Sequence, residues 1–251
     1  MDPQADGKSY VSDVFVTGGA RRVLNGLADR LTGRIQTDSS FAHDLAAARR
    51  GAEGKLREGL GPYSKLVDAL QSVAGRDFIW VRDVTVSNST WGNRLLKIFG
   101  PRDGVHAMGG GIGLGLPMAI GAALGARGRK VIALAGDGGL MLNIGELATM
   151  VQEKANVALL VMNDRGYGVI RNIQDAQYGG RRAYVDLHTP DYPKLASSLG
   201  LAYARIDDAS SALATLQTAA AALGPVLVEV DMIAIGPFAT AFAGPPVKPS
   251  T

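Results

Sequence analysis

The sequence predicts an α/β protein built on a doubly wound parallel sheet, and three observations carry that expectation. Two apolar runs, Val131–Ala135 and Val157–Met162, are strand-sized. Each ends in a glycine-flanked aspartate, Asp137 in Gly136-Asp137-Gly138-Gly139 and Asp164 in Asn163-Asp164-Arg165-Gly166. The stretch between them, Asn143 to Lys154, reads as a helix. A right-handed crossover then makes the two strands parallel. Further strand-like and helix-like segments alternate on either side, the pattern of a sheet covered on both faces. Both carboxylates would emerge at one carboxyl edge, where open parallel sheets bind ligands. Two acidic side chains among glycines, facing helix starts, suit a hard cation carrying a phosphorylated ligand.

The elements follow in order. Residues 1–32 are too few for a core of their own, and the helix-like Ala20–Leu31 reads as the end of something larger. Residues 33–61 are polar, basic and glycine-containing, and read as a linker. Pro62 suits a first helical turn, and Leu66, Val67, Ala69, Leu70 and Val73 follow at helical spacing. A strand is expected at Phe78–Arg82, then a loop at Asp83–Asn93 rich in Ser, Thr and Asn. Gly104–Met108 makes a poor strand. The glycine-rich stretch Gly109–Gly115 leads into a small-residue helix from about Pro117 to Ala126. After Asp164 the sequence predicts a helix over Tyr167–Asp175, a polar excursion to Thr189 and a helix opened by Pro190-Asp191 and reaching Leu199. A strand at Ala202–Ile206, a helix at Ser210–Leu223 and a strand at Val226–Asp231 close the sheet, and the proline-rich tail from Gly236 is irregular.

Composition narrows the function classes. The 251 residues are 47% hydrophobic and 20% charged, ordinary for a globular chain large enough to bury a core. The net charge is +3 and the Arg pairs at 21–22, 49–50 and 181–182 lie far apart, so no nucleic-acid groove is expected. With no cysteine there are no disulfides, thiolate metal sites or cysteine nucleophile. The opening Met1–Asp6 is polar and no apolar run is long enough to span a bilayer, so a cytoplasmic protein with no membrane partner is expected.

Each candidate residue has a bland reading beside the functional one. Asp137 alone is an ordinary strand–helix turn. Asn143 followed by Glu146 fits an N-cap and its partner, placing a helix start just beyond that turn. Gly138 and Gly139 remove side chains where a phosphate would approach backbone N–H groups. Gly166 and Gly168 bracket Tyr167 in the same manner. The run Gly109–Gly115 also fits a dinucleotide fingerprint, with Asp137 as its acidic residue. That nicotinamide reading is weakened by the poor preceding strand and by Asp137's own glycines. Ile112 by default is a core residue. Thr85, Ser87 and Asn88 are either diphosphate contacts or turn chemistry. His106, His43 and His188 read as surface residues, and Trp91 and Tyr178 as packing or interface residues.

Gly-Asp-Gly, 24 residues and then the Asn163-led pair resemble the cofactor motif of thiamine diphosphate enzymes, in the group of acetolactate synthases, benzoylformate decarboxylase and pyruvate decarboxylase. Gly113–Ala122, Thr189-Pro190-Asp191-Tyr192 and Leu195-Ala196 extend the likeness. The resemblance implies a diphosphate-binding domain over residues 62–240, a remnant of a middle domain at 1–32 and a tail at 241–251. It implies magnesium held by Asp137, Asp164 and the Gly166 backbone carbonyl. Asp164 stands where the group more often carries Asn. It further implies thiamine diphosphate contacts from Thr85, Ser87, Gly111, Ile112, Gly136, Gly138, Gly139, Tyr167, Gly168 and Val169, with Ile112 wedged beneath the thiazolium. The implied reaction is decarboxylation of a 2-oxo acid, with release of an aldehyde or ligation to an acceptor. A glutamate from a pyrimidine-binding domain of a partner subunit is needed, within a homodimer or homotetramer of the full-length enzyme. Such a domain is expected to be missing here, making the chain a fragment inactive alone, or a non-catalytic cofactor-binding remnant. Flavin (FAD) dependence is left open.

Overall fold

The protein was analysed as a computed structural model that describes residues 12–244. Expectations for the first eleven residues and for 245–251 lie outside the described residues. Contacts divide the chain into two units, Met1–Gly51 and Ala52–Thr251.

The first unit contains α1 (Ala20–Leu31), whose bounds match the sequence reading, and it buries none of its residues. The Thr32 hydroxyl donates to the Ala28 carbonyl at its end. In the stretch expected as a linker, α2 (Phe41–Glu58) fills most of the length, again with no buried residue. Ala, Leu, Arg, Lys and Glu are strong helix formers, and together they outweigh Gly51 and Gly54, which cost about 1 kcal/mol each. The division between the units falls within this helix.

The second unit is a six-stranded, all-parallel sheet in the order β2-β1-β3-β4-β6-β5. The strands are β1 (Ile79–Arg82), β2 (Gly104–His106), β3 (Val131–Gly136), β4 (Val157–Asn163), β5 (Ala202–Ile206) and β6 (Val226–Asp231). β4 and β6 are buried along their whole length; β4 accordingly reads as a continuous apolar run up to Met162, whereas β6 also buries Glu229 and Asp231. Alternate residues feed two cores. Ile132, Leu134, Leu160 and Val228 pack with Leu66 and Leu70 of α3 (Tyr63–Val73) and Leu216 of α9 (Ala212–Ala221). Val131, Ala133, Leu159 and Val161 pack with α4 (Gly115–Gly125), α6 (Glu146–Gln152) and α8 (Tyr192–Leu199). The remaining helices are α5 (Asp137–Leu142), α7 (Gly168–Gln177) and α10 (Met232–Ile235).

Three local expectations are overturned. The supposed poor strand at 104–106 pairs with β1, Val81 opposite Val105, because an edge strand needs only one partner. The loop at 83–93 contains a π-helical turn at Asn88–Gly92, with Trp91 buried and the Gly92 carbonyl accepting the Trp80 indole N–H at 2.8 Å. The helix expected from Asn143 starts later, as α6, and a separate short helix precedes it. α5 begins on Asp137 itself, and Asn143 ends it with its amide donating to the Gly113 carbonyl at 2.7 Å, so the capping pair with Glu146 does not form.

The order of the strands locates the site. From β1 the chain steps outward to β2, then crosses back to β3 on the other side of β1. This reversal opens a crevice at the carboxyl ends of β1 and β3, the position where such sheets take ligands.

Candidate functional site

The turns following β1, β3 and β4 meet in that crevice. Asp137, directly after β3, is buried, and its carboxylate accepts the N–H groups of Gly138 and Gly166, each at 2.9 Å. The second bond ties the β3 turn to the β4 turn and brings Asp164 alongside. Burial, with the Asp164 charge adding to it, pushes the Asp137 carboxyl up to about 7. Asp164 is also raised by burial, while the Arg171 guanidinium pulls it back. Arg171 Nη1 lies 3.4 Å from Asp164 Oδ2.

Gly166 contributes a free oxygen. It is buried, and its bridge to Asp186 uses the neighbouring groups, Tyr167 N–H to the Val185 carbonyl and Leu187 N–H to the Arg165 carbonyl. The Gly166 carbonyl accepts no hydrogen bond among the described residues. Asp137, Asp164 and Gly166 all line one cleft. Among the described residues no cluster of three or more His, Asp or Glu side chains exists that could hold a metal unaided.

The walls depend on missing side chains. A Cβ at Gly138 would stand 2.7 Å from the Tyr167 ring. At Gly168 it would collide with the Asp164 carboxylate, and at Gly166 with the Val185 carbonyl and the Arg171 guanidinium. The resulting cleft has a volume of about 120 Å³.

Of the residues named from the sequence, Thr85, Ile112, Gly136, Asp137, Gly138 and Gly139 line this cleft. So do Asp164, Gly166, Tyr167, Gly168 and Val169. Ser87 and Gly111 are not among its lining residues. Ser87 is fully buried at the start of the π-helical turn, with its N–H on the Thr85 hydroxyl and its own hydroxyl without a partner. Gly111 is exposed and turned toward Leu114. Asn88 is likewise engaged elsewhere, accepting from Arg82 at 3.3 Å. His106 and His43 are exposed, and His188 lines a separate polar cleft. Trp91 packs in the core beside Trp80, whereas Tyr178 is exposed.

Sequence reasoning missed Asp83. This buried carboxylate accepts the N–H groups of Gly113, at 3.0 and 3.1 Å, Gly115 at 3.2 Å and Val84 at 2.7 Å. It grips the glycine-rich stretch and so sets Ile112, 42% exposed, at the cleft wall. Burial raises its carboxyl, and the N–H groups work against that rise. The glycines serve the same contact, since a Cβ at Gly115 would come within 2.8 Å of Asp83, and one at Gly113 (φ +83°) within 2.9 Å of the Gly139 carbonyl. Asp83 directly follows a strand, as Asp137 does, and that position was the available signal. The apolar lining from Val84, Met162, Ile170 and Met232 was also not foreseen.

Comparison with known proteins fits this geometry. Residues 85–230 match the model of the thiamine pyrophosphate enzyme C-terminal cofactor-binding domain. The chain belongs to that family. A probable acetolactate synthase large subunit of Methanococcus aeolicus is 29% identical over 248 residues, and the catabolic acetolactate synthase of Raoultella terrigena 29% over 237. These alignments cover 91% and 92% of this chain but 41% and 42% of the relatives, so the chain spans about two fifths of their length. The thiamine diphosphate-dependent 4-hydroxybenzoylformate decarboxylase of Rhodococcus jostii shares the fold, with a TM-score of 0.61 and 28% identity over 68% of this chain and 32% of that one. The family's cofactor-binding domain, with its parallel sheet flanked by helices, is the fold described above.

Proposed function

We propose that this chain provides the diphosphate-binding half of an active site that depends on thiamine diphosphate and magnesium and acts on 2-oxo acids. The observation that carries the proposal is the meeting of Asp137, Asp164 and the unpaired Gly166 carbonyl at one wall of the cleft. Three oxygen ligands of this kind suit magnesium, which keeps its remaining positions for diphosphate oxygens and water. Gly138, Gly139 and Gly168 let the diphosphate approach the backbone, and α7 opens at Gly168 with no side chain capping its first turn. Thr85, in the turn that follows β1, also lines the cleft and would meet the diphosphate. Ile112, held by Asp83, supplies the wedge that bends the cofactor, and Met162, Val169 and Met232 keep the cleft apolar.

Bound here, the cofactor supplies the electron sink for loss of carbon dioxide from a 2-oxo acid. The chain's own residues bind and orient it. The glutamate that ionises the aminopyrimidine belongs to a pyrimidine-binding domain, provided in a homodimer or homotetramer of the longer enzyme. The relatives' names divide between acetolactate synthases and a decarboxylase, and product analysis with pyruvate and bulkier 2-oxo acids separates ligation from aldehyde release. No described helix is long and apolar enough to cross a membrane.

Calorimetric titration of the chain with thiamine diphosphate, with and without magnesium, tests the site. Saturable binding that requires magnesium is expected. Absence of binding, or binding indifferent to magnesium, overturns the assignment. Steady decarboxylation of pyruvate by this chain alone would refute the half-site reading.

A further inference from the structure

We propose that Arg171 is the resident counter-charge of Asp164, a positioning residue that makes a carboxylate workable where a neutral amide is the simpler ligand. The inference rests on the reading of the cleft as a magnesium–diphosphate site. That site already holds the buried Asp137 carboxylate, and a diphosphate brings more negative charge. A second carboxylate adds charge that one divalent cation does not balance, whereas an amide would add none. Among the described residues, Arg171 is the only cationic side chain in contact with either carboxylate.

The geometry is specific to arginine. Arg171 sits in the first turn of α7, its backbone N–H on the Tyr167 carbonyl. Nη1 reaches Asp164 Oδ2, while Nη2 reaches the Asp164 carbonyl and Asp186 Oδ1, all at 3.4 Å. A planar fork makes these contacts together, and a lysine ammonium lacks the span. The Asp164 and Arg171 side chains are 15% and 19% exposed, whereas Asp186 is 85% exposed. Solvent screens the Asp186 contact and leaves the Asp164 pair dominant. Gly166 and Gly168 flank this pair, and a methyl group on the first would displace the guanidinium, on the second the carboxylate. The turn is shaped around the ion pair as well as around the ligand. Asp164 thus offers oxygen to the metal while Arg171 cancels its added charge.

A double-mutant cycle read by calorimetry of magnesium-dependent thiamine diphosphate binding tests this. Arg171→Met weakens binding about 10- to 100-fold, the usual cost of losing a partner that orients a metal ligand. Asp164→Asn supplies the second background, and Arg171→Met added to it costs about threefold or less relative to Asp164→Asn alone, since an effect that vanishes with its partner marks a pairwise interaction. Arg171→Lys restores part of the affinity. Asp186→Asn, which removes only the exposed contact, leaves binding within about twofold. An equal loss from Arg171→Met in both backgrounds, or no loss in the parent, overturns the role. A loss from Asp186→Asn equal to that of Arg171→Met would make Arg171 a fastener of the 183–187 segment and also overturn it. Circular dichroism and melting curves identify a variant that fails to fold, in which case Arg171→Gln takes the place of Arg171→Met in the cycle. If the unmutated chain binds no cofactor with magnesium present, the cleft assignment itself fails and this inference with it. That outcome is visible before any variant is made.

Discussion

The carboxyl edge of the sheet carries two groups of buried acids whose charges are met in different ways. Above β6 and β5, Glu229 accepts from the Asn163 amide at 2.7 Å and from the Tyr203 hydroxyl at 2.5 Å. Asp231 accepts the Ile233 and Ala234 N–H groups at the start of α10 and pairs with Arg205. Burial works to raise Asp231, but those N–H groups and the guanidinium hold it below the usual carboxylate range. Above β3 and β4, Asp137 has only two backbone N–H groups, faces a second carboxylate and is pushed up to about 7. The first group is complete within the fold. In the second, Arg171 meets Asp164 but among the described residues no cation meets Asp137, and such an unmatched acid marks a site built for something that arrives later.

The contrast breaks most directly at its two centres. Asp137→Ala is expected to weaken magnesium-dependent thiamine diphosphate binding by on the order of 100-fold or more, since losing even an outer-shell partner costs 10- to 100-fold. Glu229→Ala is expected to leave that affinity unchanged while lowering stability by about 1–3 kcal/mol, the cost of stranding buried partners. Equal losses of cofactor affinity in calorimetry would erase the distinction between the two groups.

Asp83 sharpens the comparison, because it serves the site yet is satisfied like a structural acid. Asp83→Ala strands the N–H groups of Val84, Gly113 and Gly115 and is expected to cost about 1–3 kcal/mol in chemical denaturation. Retained stability would mean that the glycine stretch holds itself.

A pH series separates the surplus charge from the rest. The folded Asp137 carboxyl lies above its unfolded value of 3.8. The neutral group therefore stabilises the metal-free protein, and this contribution is lost as pH rises through about 7. Relative to Asp137→Asn, the metal-free parent should lose Tm over that window, and magnesium should raise Tm more near pH 8 than near pH 6. A magnesium effect independent of pH would contradict the assignment. The smallest effect is expected far from the cleft. Asp191 caps α8 by accepting the Lys194 N–H at 3.1 Å. Asp191→Ala should cost about 1 kcal/mol by denaturation, with cofactor affinity unchanged.

Much of the sheet was legible because its signal is local. The strands at 202–206 and 226–231 and the helix at 20–31 have the bounds that apolar runs and periodicity indicate. The pairing of Asp137 with Asp164 across a crossover was legible because parallel topology leaves one edge for both. What the sequence did not disclose depends on contacts between distant segments. Asp83 grips Gly113 thirty residues away, and Arg171 joins Asp164 through the fold of a turn. Ser87 faces inward because the 88–92 segment winds into a π-helical turn rather than an open loop. The α2 helix was obscured by two glycines, and α5 by a motif that doubles as its first turn.

The crowding at Gly138, Gly166 and Gly168 sets what laboratory evolution can sample here. A library randomised at those three codons should return glycine almost exclusively, because even the methyl of alanine meets an aromatic ring, a carbonyl or the Asp164 carboxylate. Gly121 offers the opposite case, lying inside α4 with open space where its side chain would be. Alanine there should gain roughly 0.5–1 kcal/mol through helix propensity. Selection for heat tolerance would then enrich changes on that helix while the turns around the cleft stay frozen.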